Sequence, residues 1–219
     1  MYRPTFVKRL FSYVWPITIE RRKGIAGHVL EVIIYQGKVM LDSEKVNYSF
    51  GSLHKVMRGV ILNLKSKKYP LDNVLILGYG GGSAAEIIHN EVNSDAQIIG
   101  VDMDKSVLDI AQQYFYTKKV QLLESKAEEY LELAKKNRSS YNTIIIDLFI
   151  DNKIPEFSDR FWELVSELIT SDGIAFINTM LEESDFCKLG DQIKSFGFHI
   201  QSWNEIKENR VWIFKKVTD

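Results

Sequence analysis

A run of glycines and two aspartates that follow it at long spacing are the residues of this chain best suited to chemistry. Gly78, Gly80, Gly81 and Gly82 stand directly after the apolar run Leu75-Ile76-Leu77. Glycines let a backbone turn tightly and come close to a ligand that a Cβ would hold off. Ser83 follows and can cap a helix, whose free N–H groups favour an anion or a polar ligand group. Asp102 lies about 20 residues further on, where a carboxylate can accept hydrogen bonds from a ribose. Asp147 closes a second apolar run, Ile144-Ile145-Ile146. At the carboxyl end of a parallel strand, beside the glycine turn, it could hold an amine or take its proton as a general base. Each feature has a plainer counterpart. The glycines could be a structural turn between a core strand and a helix, and Asp147 a helix cap or loop-ordering acid. Together they point to a nucleoside-cofactor pocket and leave the cofactor open. A dinucleotide fingerprint starting at Gly78 wants glycine or alanine where Ser83 stands, but one starting at Gly80 is met by Gly82 and Ala85.

These residues need a scaffold, and the sequence describes one. Strand patterns at Val74–Leu77, Gln97–Val101, Val120–Leu123, Thr143–Leu148 and Gly173–Asn178 alternate with helical patterns at Ala84–Glu91, Lys105–Tyr114, Ala127–Lys136, Asp159–Ile169 and Glu183–Phe196. Such alternation predicts a parallel sheet covered by helices on both sides. The chain closes differently. His199–Trp203 and Val211–Lys215 are strand patterns separated by polar residues from Asn204 to Asn209. That is hairpin spacing, so at least one antiparallel strand joins the edge. Five helix-linked strands and a terminal hairpin resemble the α/β, Rossmann-like sheet of methyltransferases, a likeness that favours S-adenosylmethionine or a relative over NAD. Ahead of it, Ser12 to Asn47 reads as a small β-meander. Tyr13-Val14-Trp15 and Ile17-Thr18-Ile19 are β-rich around Pro16. Val29, Glu31, Ile33 and Tyr35 can share one face of the next strand with Leu30, Val32 and Ile34 on the other, and Val39-Met40-Leu41 forms a further strand. Leu53, Val56, Val60, Ile61 and Leu64 then recur at helical spacing. The division is a small N-terminal β region over residues 1–49 and a Rossmann-like domain over 50–219.

Composition narrows the classes. A chain of 219 residues is one domain, or one with a small appendage. Its net charge of −1 offers no global electrostatic case for nucleic acid or an anionic membrane. The N-terminal cations Arg3, Lys8, Arg9, Arg21, Arg22 and Lys23 read as a solvated face. Cys187 is the single cysteine, so there is no disulfide within the chain and no cysteine-based metal cluster. The four histidines lack ligand spacing, and no metal is expected. No apolar run approaches the ~20 residues of a membrane span. No signal-peptide pattern opens the chain, so the cytoplasm is the expected location.

From about Tyr35 to Asn178 the sequence resembles the spermidine synthase (polyamine aminopropyltransferase) family. The resemblance rests on Gly37-Lys38-Val39-Met40-Leu41-Asp42, Leu77-Gly78-Tyr79-Gly80-Gly81-Gly82-Ser83, Val101-Asp102-Met103-Asp104, Tyr141 to Asp147, and Ile154-Pro155-Glu156-Phe157. It implies a transferase of polyamine biosynthesis that binds S-adenosylmethionine or its decarboxylated form. Gly78, Tyr79, Gly80, Gly81, Gly82, Asp102 and Met103 would hold the cofactor, with Ser125, Lys126 and Ala127 at the adenine. Asp147 would bind and deprotonate an amine, and Tyr48, Phe149 and Asp151 would line the acceptor pocket. Departures stand beside the likeness. Ile150 occupies the place of a second family acid, with Asp151 next to it. Lys126 stands for an adenine-binding aspartate, and a protonated lysine cannot accept that hydrogen bond. Lys55 replaces a glutamate. The leading expectation is therefore alkylation of an amine or other small nucleophile. The alternatives are a small-molecule methyltransferase and a non-catalytic nucleoside-binding protein, the last favoured by Lys126, Lys55 and Ile150. The meander has exposed edges, and family members pair through this region, so a homodimer is expected.

Overall fold

Ten strands and seven helices follow one another in the computed structural model, which describes residues 2–43, 52–115, 119–149, 156–206 and 209–217. The larger sheet holds β4 (Asn73–Leu77), β5 (Gln97–Asp102), β6 (Val120–Glu124), β7 (Tyr141–Ile146), β8 (Ile169–Thr179), β9 (Phe198–Ile206) and β10 (Asn209–Lys216), in the order β6-β5-β4-β7-β8-β10-β9. β4, β5, β6, β7 and β8 pair in parallel, as their helical connections require. Helices cover both faces. α2 (Ser52–Ser66), α3 (Ser83–Ile87) and α4 (Lys105–Tyr114) pack on one through Val60, Ile61, Ala85 and Leu108. α5 (Ala127–Lys136), α6 (Asp159–Leu168) and α7 (Glu183–Ser195) pack on the other through Leu131, Trp162, Val165 and Ile193. β4 and β7, buried on both faces, are accordingly apolar almost throughout.

The terminal hairpin is present, but its antiparallel strand does not form the edge. β10 lies between β8 and β9 and runs antiparallel to both. Val211, Ile213 and Phe214 on it are buried, the burial of an interior strand. β9 takes the edge, because its crossover through α7 carries it one strand beyond β8.

The smaller sheet is antiparallel, ordered β1 (Ile17–Lys23), β2 (Val29–Tyr35) and β3 (Lys38–Ser43). Leu30, Val32 and Leu41 pack against Val107, Ile110 and Tyr114 of α4, so this sheet rides on the outside of a helix of the larger domain. Residues 13–15 are not a strand. A short helix, α1 (Phe6–Phe11), precedes them, and β1 starts only after Pro16. The local β preference is overridden by one anchor. Ser12 is wholly buried, its Oγ accepts from the Gly37 N–H at 2.8 Å, and its carbonyl accepts from the Gln36 N–H at 2.9 Å.

The helix after the glycine turn also departs from the sequence reading. α3 is capped by Gly82, at φ 78°, and not by Ser83, which is its first residue. It passes into a π-helical turn at Ile88–Val92 instead of continuing as one α-helix. Among the described residues, no helix is long and apolar enough to cross a membrane.

Candidate active site at the carboxyl ends of the strands

The site is assembled where β4 and β7 end side by side. Gly78 has φ +83°, and a Cβ on it would run into the backbone carbonyl of Asp147. The Asp147 N–H donates to the Leu77 carbonyl at 2.8 Å, so the two strand ends are held as closely as glycine permits. The turn is stitched to β5 as well. The N–H groups of Gly78 and Tyr79 both donate to the Val101 carbonyl, at 2.9 and 3.0 Å. The Tyr79 ring turns down into the core, 4% exposed, and lies under Gly100, where a Cβ would clash with it. Its hydroxyl end reaches back under Gly82, so the ring supports the glycine turn from the core side.

Asp102 already works before any ligand is considered. Its Oδ2 accepts from the Gly80 N–H at 3.0 Å and its Oδ1 from the Asp104 N–H at 3.0 Å. Burial pushes its pKa up, and those two backbone donors pull it back down. Each carboxylate oxygen retains acceptor capacity for a further donor. Met103, next in the chain, is exposed at the end of β5. The Ser125 N–H donates to the Asp102 carbonyl at 3.0 Å and brings the end of β6 alongside. Lys126 precedes α5 without a side-chain cap, and its exposed ammonium lies 3.4 Å from Glu129. Ala127 opens that helix.

Asp147 is a strongly perturbed acid. Burial drives its pKa up to about 7, and the nearby charge of Asp102 adds to the rise. A hydrogen bond from Asn178 Nδ2 to Asp147 Oδ1, at 2.9 Å, works against it. Asn178 is the penultimate residue of β8, is wholly buried, and its Oδ1 has no hydrogen-bond partner among the described residues. Sequence reasoning gave it no role. The one available signal is a carboxamide ending the apolar run Ile174 to Ile177. Phe149 is half-buried just beyond Asp147. Tyr48, Asp151 and Ile150 lie outside the described residues. Lys55 is exposed on α2. Gly78, Gly80, Gly81, Gly82, Asp102, Met103, Ser125, Lys126, Ala127 and Asp147 thus gather at one end of the sheet. Among the described residues no group of three or more metal-binding side chains is found.

A seven-stranded sheet in this order, with a glycine turn after β4 and acids after β5 and β7, is the class I S-adenosylmethionine-dependent methyltransferase fold. The chain belongs to the methyltransferase domain family, whose model matches residues 68–216. Solved structures agree on the fold. Human methyltransferase-like protein 13 in complex with SAH aligns with a TM-score of 0.59 at 18% identity, over 77% of this chain and 83% of that one. A probable spermidine synthase from Corynebacterium glutamicum aligns with a TM-score of 0.66 at 13% identity, over 90% of this chain and 79% of that one. A SAM-dependent methyltransferase from Agrobacterium tumefaciens gives 0.60 at 10% identity, over 85% and 67%. No curated protein matches the chain in sequence. The spermidine synthase likeness is therefore one distant structural resemblance among methyltransferases, and the family membership is the broader one.

Proposed function

We propose that this chain is an S-adenosylmethionine-dependent methyltransferase acting on a small nucleophile. The observation that carries the reading is the pairing of two differently held acids across the glycine turn, Asp102 tied by backbone N–H groups and Asp147 partly buried with a raised pKa. The residues fit such a cofactor. Asp102 keeps acceptor capacity for ribose hydroxyls, Met103 offers an exposed apolar surface to a base, and the Gly78–Gly82 turn lets the backbone approach. The cofactor supplies a methyl group on a sulfonium that is already activated to leave. What remains for the protein is positioning, the exclusion of water and the handling of one proton. The nucleophile gives up that proton as it is alkylated, and Asp147, ionised for part of the neutral range, accepts it.

A second reading is aminopropyl transfer from decarboxylated S-adenosylmethionine to an amine. It is favoured by the small β-sheet docked on α4 together with the likeness to the Corynebacterium protein over 90% of this chain. Calorimetry with S-adenosylmethionine, its decarboxylated form, methylthioadenosine and NAD, followed by transfer assays with each cofactor offered separately, distinguishes the two. Methyl transfer without aminopropyl transfer would sink the second reading. Binding of none of the first three ligands would remove both, and binding without either transfer would leave a nucleoside-binding protein. Asp147→Asn should abolish transfer and leave cofactor binding nearly intact.

A further inference from the structure

Between Tyr2 and Trp15 the chain carries three cations, Arg3, Lys8 and Arg9, and no acid. The net charge of the whole chain hides this local imbalance. The same stretch holds the most exposed large apolar side chains among the described residues. Phe6 is 79% exposed, Val14 83% and Trp15 76%, and Val7, Leu10 and Phe11 are each more than half exposed. Phe6, Val7, Leu10, Phe11 and Val14 recur at helical spacing, so they share one side of α1 and the turn after it. Nothing in α1 is buried, although the segment is held in place through Ser12.

We infer that this face is a docking surface for an anionic lipid bilayer. Apolar and aromatic groups flanked by unopposed cations complement a surface that is negative at its headgroups and apolar just beneath them. A six-residue helix spans only ~9 Å, far too little to cross a bilayer, so the segment lies in the interface plane. A second copy of the chain is the poorer occupant. A symmetric pairing of this face would press the same three cations of each copy together, with no acid in the stretch to offset them. The surface stands at the Gln36–Gly37 hairpin end of the small sheet. The opposite end, at Ile25, contacts Asp104 beside the active site. Docking by the first end therefore leaves the site open to solution.

The test is sedimentation of the full chain with phosphatidylcholine vesicles prepared with and without phosphatidylserine. The chain should sediment with the anionic vesicles and be released by added salt. Two double substitutions separate the contributions, Phe11→Ser with Trp15→Ser for the apolar part and Arg3→Glu with Lys8→Glu for the charge. All four side chains are exposed, so the melting temperature should hold in both variants. Each pair should weaken binding at least about tenfold. No sedimentation with anionic vesicles, or equal sedimentation with and without phosphatidylserine, overturns the inference. So does a dimer that Phe11→Ser with Trp15→Ser dissolves in a chain that ignores vesicles, which assigns the face to a second copy.

Discussion

Asp147 carries a pKa near 7 where an ordinary aspartate titrates near 4. In the proposed role of base it must be ionised, so turnover should climb with pH through about 7 and level off above it. Stability responds in the opposite sense. Between those two values the folded state keeps a proton that the unfolded chain has released. The group's contribution is therefore complete below about 4 and lost as pH rises through about 7. Asp147→Asn removes this loss. It should raise stability relative to the parent more at about pH 8 than at about pH 5, by an amount on the order of a few kcal/mol in denaturant titrations. Asn178 opposes the rise by donating to the carboxylate. Asn178→Leu should move the midpoint of the activity profile to higher pH, and an unmoved midpoint would mean that the hydrogen bond does not set it. The placement of Asp102 and Asp147 at strand ends was legible in the sequence because each follows an apolar run. Asn178 was not, since its significance comes from a partner 31 residues away.

Close approaches between elements decide where this fold tolerates change. Gly100 of β5 lies over the Tyr79 ring with no room for a Cβ. Gly100→Ala should be destabilising, and in a Tyr79→Leu background the cost should shrink. A double-mutant cycle should show a coupling of about 1 kcal/mol or more. Elements whose own periodicity faces the core were readable to the residue. α4 and α5 run over the predicted spans, with Val107, Leu108, Ile110, Ala111 and Tyr114 inward on the first and Tyr130, Leu131 and Ala134 on the second. Where structure depends on contacts distant in sequence, the reading failed. Tyr13 to Trp15 has strand composition, yet Ser12 bound to the Gln36–Gly37 turn fixes it otherwise. The capping role expected of Ser83 passed to Gly82, which alone can take the left-handed conformation there without strain.

At the scale of the whole molecule, the small sheet is joined to the larger domain by its apolar face on α4 and by a polar tether at Asp104. Its Oδ1 accepts from the Ser106 N–H at 2.8 Å and caps α4, and its Oδ2 accepts from the Ile25 N–H at 2.8 Å and tethers the small sheet. Asp104→Ala breaks both, with an expected cost of about 1–2 kcal/mol. Amide exchange should quicken in β1 and β2 far more than in β4, and equal acceleration throughout would show that the tether is not local. Alternating strands and helices made the larger domain legible, while the place of the last strand within the sheet was not, because nothing local distinguishes an edge strand from an inserted one. That insertion bears on how the protein is made. During synthesis β8 emerges with one side unpaired, and the strand that closes it, β10, is translated only after α7 and β9. At ordinary elongation rates the gap from Thr179 to Asn209 lasts roughly 2–6 s. For that interval the nascent chain presents an apolar strand edge of the kind that chaperones cover and that neighbouring chains on a polysome can capture.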